Sequence, residues 1–395
     1  MSRLSLFVSG IFFLIILEIA KVYFIMPMPG SQQANTIEAA FWIHQHVWFL
    51  RVAGWIIILL TAVPVLRRPQ RPWHRWLSIA LLVAYLVVGY LFNFRLLAEK
   101  MFYQPRHKQL THLDKNKVPM DRLVMGIVRH DEARAYPVQF IGYHHQVRDT
   151  VGGEPVMITY CTVCRTGRAF SPLVGTHPDD FRLVGMDHFN AMFEDSRTGS
   201  WWQQATGKAI AGPLTGQSLT ELPTQHMTLR EWAALYPNTL VMQPDADFQE
   251  SYDKMKPYET GKSKSDLTRR DSLSWHDKSW VVGITQNRAS RAYDWNGLLR
   301  VRIVNDTVGQ VPVVLTVGND KASLFAWKRQ LDDQVLTFLR LPDGSLKDTQ
   351  TGSVWGKNGV CKDGPLMGRQ LQPVQAYQEF WHSWKTFHPS TDQKL

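Results

Sequence analysis

The stretch ITYCTVCRTGRAF, Ile158 to Phe170, places Cys161 and Cys164, two of the chain's three cysteines, in a Cys-x-x-Cys. Thiols at that spacing can clasp a soft metal ion, open and close a disulfide, or form a structural bridge. In a thioredoxin-like site the motif opens a helix, whose N-terminus lowers the thiol pKa. Here RTGRAF follows, with Gly167 and no helical periodicity, so the spacing predicts a tight turn between strands, the shape of a thiolate knuckle. A hairpin centred on Gly152 and Gly153 pairs residues whose numbers sum to 305, which sets His144 opposite Cys161 and His145 opposite Tyr160. Opposed residues hold their Cβ atoms about 4.5–5.5 Å apart, a gap that one metal ion bridges with bonds of about 2.0–2.3 Å. His144, Cys161 and Cys164 are therefore the predicted ligands of a copper or zinc ion; a one-residue slip in register presents His145 or neither histidine. Met186, His188 and Met192 in GMDHFNAMF are candidates for a fourth ligand, although Met and aromatic residues at such spacing more often fill a core.

The leading expectation is a membrane-anchored extracytoplasmic metal-binding protein that handles copper or zinc or does redox chemistry. Two rivals stand beside it. Outside the cytoplasm two nearby thiols oxidise, so Cys161 and Cys164 could instead serve a thiol–disulfide protein; an envelope scaffold or binding module is the third class. No phosphate-binding glycine loop, Ser-His-Asp order or His-Glu-x-x-His motif occurs, so nothing supports a conventional hydrolase, and whether the chain is an enzyme stays open. His44 and His46 in WIHQHVW could pass a metal inward, Cys361 reads as a small buried residue, and Trp202 and Trp355 read as core.

The elements that must position these residues form a repeat. At an offset of 157, Val124, Gly126 and Ile127 fall on Val281, Gly283 and Ile284, and DTVGGEPV from Asp149 falls on DTVGQVPV from Asp306. With shorter offsets, TGSWWQQATGKAIAGPLTGQSL from Thr198 meets TGSVWGKNGVCKDGPLMGRQL from Thr351. Position for position, His144, Cys161 and Cys164 meet Val301, Gly318 and Lys321, so the second half-copy keeps the scaffold and none of the ligand types. Alternating or apolar runs such as VQFIGYHHQV, PVMITYC and VPVVLTV predict strands. TLREWAALYP predicts a helix, with Thr228 and Glu231 in capping-box spacing, and FWHSWKTFHP repeats it. The polar stretch between the half-copies predicts a connecting loop.

The first hundred residues predict a membrane region. The chain has 395 residues, 45% of them apolar, and a formal charge of +10. A basic balance suits nucleic acid or an anionic membrane surface, and apolar stretches at about residues 4–24, 47–66 and 76–94 favour the lipid bilayer as partner over nucleic acid. Each approaches the roughly 20 residues that a helix needs to cross a bilayer. The loop RRPQRPWHRW carries Arg67, Arg68, Arg71 and Arg75, which by the positive-inside rule places it and the N-terminus in the cytoplasm and residues 99–395 outside the inner membrane. The first span could alternatively be a signal peptide. The expected class is mainly β with short helices (α+β): a three-helix transmembrane region over 1–98, a first antiparallel unit over 99–245, a loop over 246–278, and a second unit over 279–395, each unit ending in a short helix.

The strings RAYPVQFIGYHHQVRDTVGGEPVMITYCTVCRTGRAF, DSRTGSWWQQATGKAIAGPLTGQSL and WAALYPNTLVM resemble the bacterial and archaeal domain of unknown function 3179. The resemblance covers essentially all of the soluble part, including YDKMKPYETG and the second half-copy. The family's usual pattern has Trp-His-Glu before the hairpin and Tyr-Cys-Pro-x-Cys after it. These fall on Tyr143, His144 and His145 and on Tyr160, Cys161, Thr162 and Cys164, with Thr162 in place of Pro and His145 in place of Glu. If that Glu is a ligand or proton carrier, its loss puts catalysis in doubt here, whereas a second His could strengthen metal binding. The resemblance also implies membrane-linked or exported proteins and brings no activity with it.

Overall fold

The three apolar runs become helices α1 (Arg3–Tyr23), α2 (Ile37–Arg67) and α3 (Pro72–Phe94), followed by the short α4 (Ala98–Met101), in a computed structural model that describes residues 2–395. All three long helices are long and apolar enough to cross a membrane. The Ser2 side chain caps α1 by accepting from the Ser5 amide, and Pro72 starts α3 where its missing N–H costs nothing. Phe7, Ile11 and Leu14 of α1 pack with Ile58 and Tyr85. Gly54 allows the close approach, since a Cβ there would lie 2.5 Å from Leu14 Cδ2. Phe49 and Leu60 face outward, more than 70% exposed (73% and 76%), as a lipid-facing surface requires. One buried polar knot joins the three helices. Glu18 accepts from Arg51 Nε at 2.6 Å, Lys21 Nζ at 3.1 Å and Asn93 Nδ2 at 2.8 Å, which satisfies a carboxylate that apolar surroundings would otherwise penalise.

Contacts group these helices with residues 180–203 and 208–217 as one unit, and residues 104–179, 204–207 and 218–395 as another. The half-copies and the compact units are thus different divisions of the chain. The four-stranded sheet of the first unit runs Ala209–Ala211, Trp201–Gln203, Asn190–Asp195, Phe181–Asp187.

In the second unit the repeat is visible as topology. Strands Leu123–Arg129 and Glu132–Pro137 form a hairpin, flanked by Gln225–Thr228 on one side and, in parallel, by Leu240–Met242 on the other. Trp280–Gln286 and Ala289–Asp294 form the matching hairpin, flanked by Ala376–Phe380 and, again in parallel, by Asp392–Lys394. Each hairpin leads into a short helix, α5 (Val138–His144) in the first half-copy, and each half-copy has another just before its last, parallel strand, α6 (Leu229–Leu235) in the first; α7 (Gln249–Glu259) lies between the half-copies, and α8 (Trp295–Val301) and α9 (Trp381–Phe387) repeat α5 and α6. The mixed α+β architecture with an N-terminal helical region is as expected. Thr228 caps α6 by accepting from the Glu231 amide, as the capping-box spacing required.

Two local expectations are corrected. VQFIGYHHQV begins as the helix α5 and becomes strand only at Gln146, because its residues are buried nearly all round and alternation is not needed to hide them. The connecting stretch is not all loop, since α7 buries Tyr252 and Tyr258.

The repeated motifs have a shared physical basis. Arg134 and Tyr136 both bond Asp149, at 2.7 and 2.6 Å, and Arg291 and Tyr293 bond Asp306 at 2.8 and 2.9 Å. Burial pushes the Asp306 carboxyl up, but hydrogen bonds from Arg291 and Lys394 outweigh it and hold the group at about 2. Its unfolded value is about 3.9, so this stabilisation is complete above about pH 4 and is lost as pH falls through about 2. Asp306→Asn should lower stability at neutral pH and flatten the fall of Tm between about pH 4 and pH 2; parallel slopes in wild type and variant would refute this.

Candidate functional site

Strand Glu154–Cys161 pairs with Thr166–Phe170, and the pair Cys161↔Thr166 closes a four-residue turn, Thr162 to Arg165, with Arg165 in the left-handed region at φ 55°. The Cys-x-x-Cys therefore lies on a hairpin turn, without a helix to activate it. Cys161 and Cys164 are both completely buried and are present as thiols. Burial pushes the Cys164 thiol well above its ordinary value; its hydrogen bond with Cys161 and the Cys161 charge push it further, while a hydrogen bond with Ser383 pulls the other way. At neutral pH this sulfur is a protonated thiol, a weak nucleophile until its surroundings change.

The turn is clamped by groups from distant parts of the chain. Tyr258 Oη donates to the Thr162 carbonyl at 3.1 Å, Lys278 Nζ donates to the Val163 carbonyl at 2.7 Å, and the Phe380 amide donates to the Cys164 carbonyl at 2.9 Å. His382 Nε2 lies 3.0 Å from the Val163 oxygen and 3.2 Å from Lys278 Nζ. Burial, reinforced by the Lys278 charge, lowers the His382 imidazole to about 4, so it is neutral. Burial also lowers Lys278, and negative charge on Cys164 or Cys161 would raise it again. Its ammonium also donates to the Leu267 carbonyl at 2.6 Å.

Behind the thiols runs a buried polar chain. Thr166 Oγ1 lies 3.2 Å from Ser383 Oγ, Ser383 donates to Glu379 Oε2 at 2.9 Å, and Glu379 Oε1 accepts from Arg168 at 2.5 Å. Arg168 lies over the Tyr377 ring at 3.6 Å. Burial, with Arg168 and Arg165 adding, lowers the nearby His226 to about 3. The chain joins the first half-copy's strand Thr166–Phe170 to the second half-copy's Glu379 and Ser383. The corresponding residues of the second copy are Ala322, Ser323 and Phe325 for Arg165, Thr166 and Arg168, by the equivalent hairpin register. None of Arg165, Arg168, Lys278, Glu379, His382 and Ser383 stands out in the sequence alone, although the loss of Arg165 and Arg168 in the second copy was a readable signal.

The predicted ligands are placed as follows. The hairpin has the expected register, Gln146↔Thr159 through Val151↔Glu154. His144, however, ends α5 instead of lying in the strand, and its Nε2 is 2.6 Å from Tyr252 Oη, with the ring edge-on to Phe248. His145 has φ 63°, its Nδ1 lies 3.1 Å from its neighbour Tyr143's carbonyl oxygen, and burial lowers it to about 4. His188 belongs to the other unit, at a hairpin turn, where Asp187 at 2.7 Å raises its pKa by a hydrogen bond. Among the described residues no group of three or more His, Cys, Asp or Glu side chains is arranged to hold a metal ion. His46 Nδ1 lies 2.8 Å from the Trp42 carbonyl oxygen in its own helix, and His44 packs edge-on to Trp201. Cys361 is buried and lies in the core with Trp355.

No curated protein and no solved structure matches the chain. Residues 102–391, which carry the dithiol turn and every group that clamps it, match a family described as a protein of unknown function, and the chain belongs to that family, DUF3179.

Proposed function

We propose that this chain is a membrane-anchored protein whose soluble part lies outside the cytoplasm and uses Cys161 and Cys164 as a thiol–disulfide pair. The observation that carries the reading is the turn itself: the pair Cys161↔Thr166 closes Thr162 to Arg165, which puts two completely buried free cysteines on one tight turn. Arg67 at the end of α2, Arg68 and Arg71 in the loop, and Arg75 in the first turn of α3 support the orientation. In the reaction, a partner disulfide accepts two electrons and two protons; both S–H bonds break, one S–S bond forms, and the partner leaves as two thiols. Lys278 stabilises the attacking thiolate, and the Ser383–Glu379 pair offers Cys164 a path for its proton. Complete burial makes opening of the turn the gate, so exchange is slow until a partner loosens it.

A second reading, copper or zinc held by the same pair, rests on two adjacent buried sulfurs, which are soft ligands. His144, whose Nε2 lies 2.6 Å from Tyr252 Oη, would be the imidazole ligand in that reading.

One experiment separates the two. The full-length protein in detergent is equilibrated in glutathione buffers of graded potential, alkylated and weighed, with elemental analysis in parallel. The expected result is reversible loss of two hydrogens at Cys161 and Cys164 without stoichiometric metal. Stoichiometric copper or zinc that disappears in Cys161→Ser/Cys164→Ser favours the metal reading, and neither result sinks both.

A further inference from the structure

Arg165 is 2% exposed, yet neither its Nε nor its Nη1 has a hydrogen-bond partner. Arg168, equally buried at 2%, bonds Glu379 and the Gly167 carbonyl. Arg165 instead lies over the Trp280 ring at 3.8 Å and near Tyr258 at 5.5 Å. Aromatic faces attract a cation but do not satisfy its N–H groups. A second guanidinium, that of Arg270, lies over the same indole at 4.2 Å; its Nη2 bonds Asn296, while its Nε and the Trp280 Nε1 have no partner. Two carboxylates act on these arginines by charge without hydrogen-bonding them: Glu259 on Arg165 and Asp294 on Arg270, each with one buried oxygen left unpartnered. Glu259 is paired with Arg122 at 3.5 Å and burial raises it to about 6, while Asp294 accepts from Ser274 and the Gly297 amide, both at 2.8 Å. Arg165 Nε and Nη1, Arg270 Nε and Trp280 Nε1 thus gather around one indole without a hydrogen bond to any acceptor among the described residues.

Buried N–H groups left without an acceptor are destabilising, and the fold does not require them, because the equivalent corner of the second half-copy carries Ala322. We propose that Arg165, Arg270 and the Trp280 N–H form a binding site for a small oxyanion, carboxylate or tetrahedral, next to the dithiol turn. A guanidinium fork matches either oxyanion with two parallel hydrogen bonds. Arg270 and Trp280 are only partly buried and give the anion its approach. None of the donors is a sulfur, so the site stands whether or not the cysteines exchange disulfides.

The test is calorimetric and thermal titration of the full-length protein in detergent with sodium acetate, phosphate and sulfate, with sodium chloride holding ionic strength constant. Saturable binding and a rise in Tm with at least one oxyanion are expected, and the acetate arm against the phosphate and sulfate arms identifies the class. Arg165→Gln should weaken that binding about tenfold or more. Absence of saturable binding in the folded wild type, or unchanged affinity in Arg165→Gln, overturns the proposal. Should Arg165→Gln fail to fold, Arg270→Gln, at a half-buried position, decides: weaker binding supports the site and unchanged binding overturns it.

Discussion

Glu379→Gln is expected to lower the Tm of the second unit by roughly 6–12 °C, the equivalent of about 3 kcal/mol for a unit of this size. The variant takes from Arg168 the carboxylate that holds it at 2.5 Å. What remains is Glu221 at 3.5 Å, itself about one-third exposed (35%) and a weaker counter-charge. Ser383 also loses its charged acceptor. The loss comes mainly from stranding a buried cation, so removing both partners with Arg168→Met/Glu379→Leu should recover most of it. A double variant no more stable than Glu379→Gln would show that the pair is itself stabilising, and a single-variant shift under about 2 °C would show that Arg168 finds another partner.

That pair also marks where the sequence stops being informative. The repeat, the Gly152–Gly153 hairpin and its register, the Thr228 cap and the three apolar helices all depend on residues close together in the chain, and each was readable. The position of His144 was missed by one boundary. α5 is seven residues long, follows Pro137 without a side-chain cap, and hides almost every residue, so neither alternation nor a polar face marks it as a helix. The second copy carried the missing signal. Asp294 caps α8 by accepting from the Gly297 amide at 2.8 Å, and DWNG read as a helix start would have transferred to Val138 through the repeat. The polar environment of the thiols was legible only in part, because Glu379, His382 and Ser383 arrive from more than 200 residues away (|i−j| of 211, 219 and 217 in their bonds to the turn and its strand). α7 was hidden by its charge, although Tyr252, Met255 and Glu259 have helical spacing along one side.

The largest packing effect is expected where each half-copy seats a tryptophan on a strand glycine. Trp232 and Trp384 are both fully buried at 0% exposure, and each indole N–H is fixed by a threonine, Thr239 or Thr391, at 2.8 Å. A Cβ on Gly126 would fall 2.2 Å from Trp232 Cζ3, and one on Gly283 would fall 2.1 Å from Trp384 Cζ3, so only glycine lets the ring lie flat on the strand. Trp384→Ala should cost about 3–5 kcal/mol through lost burial and the cavity left behind. Gly283→Ala should cost about 3 kcal/mol or more, at the upper end for overpacking, because the backbone and the Thr391 bond leave the indole nowhere to move. The two costs should not add. With the ring gone the methyl group enters the space it vacated, so Gly283→Ala in the Trp384→Ala background should be close to neutral, an interaction energy of about 3 kcal/mol or more in the cycle. Strict additivity in denaturant melts would mean that the indole is not seated on Gly283, and the same cycle at Gly126 and Trp232 tests the first half-copy independently.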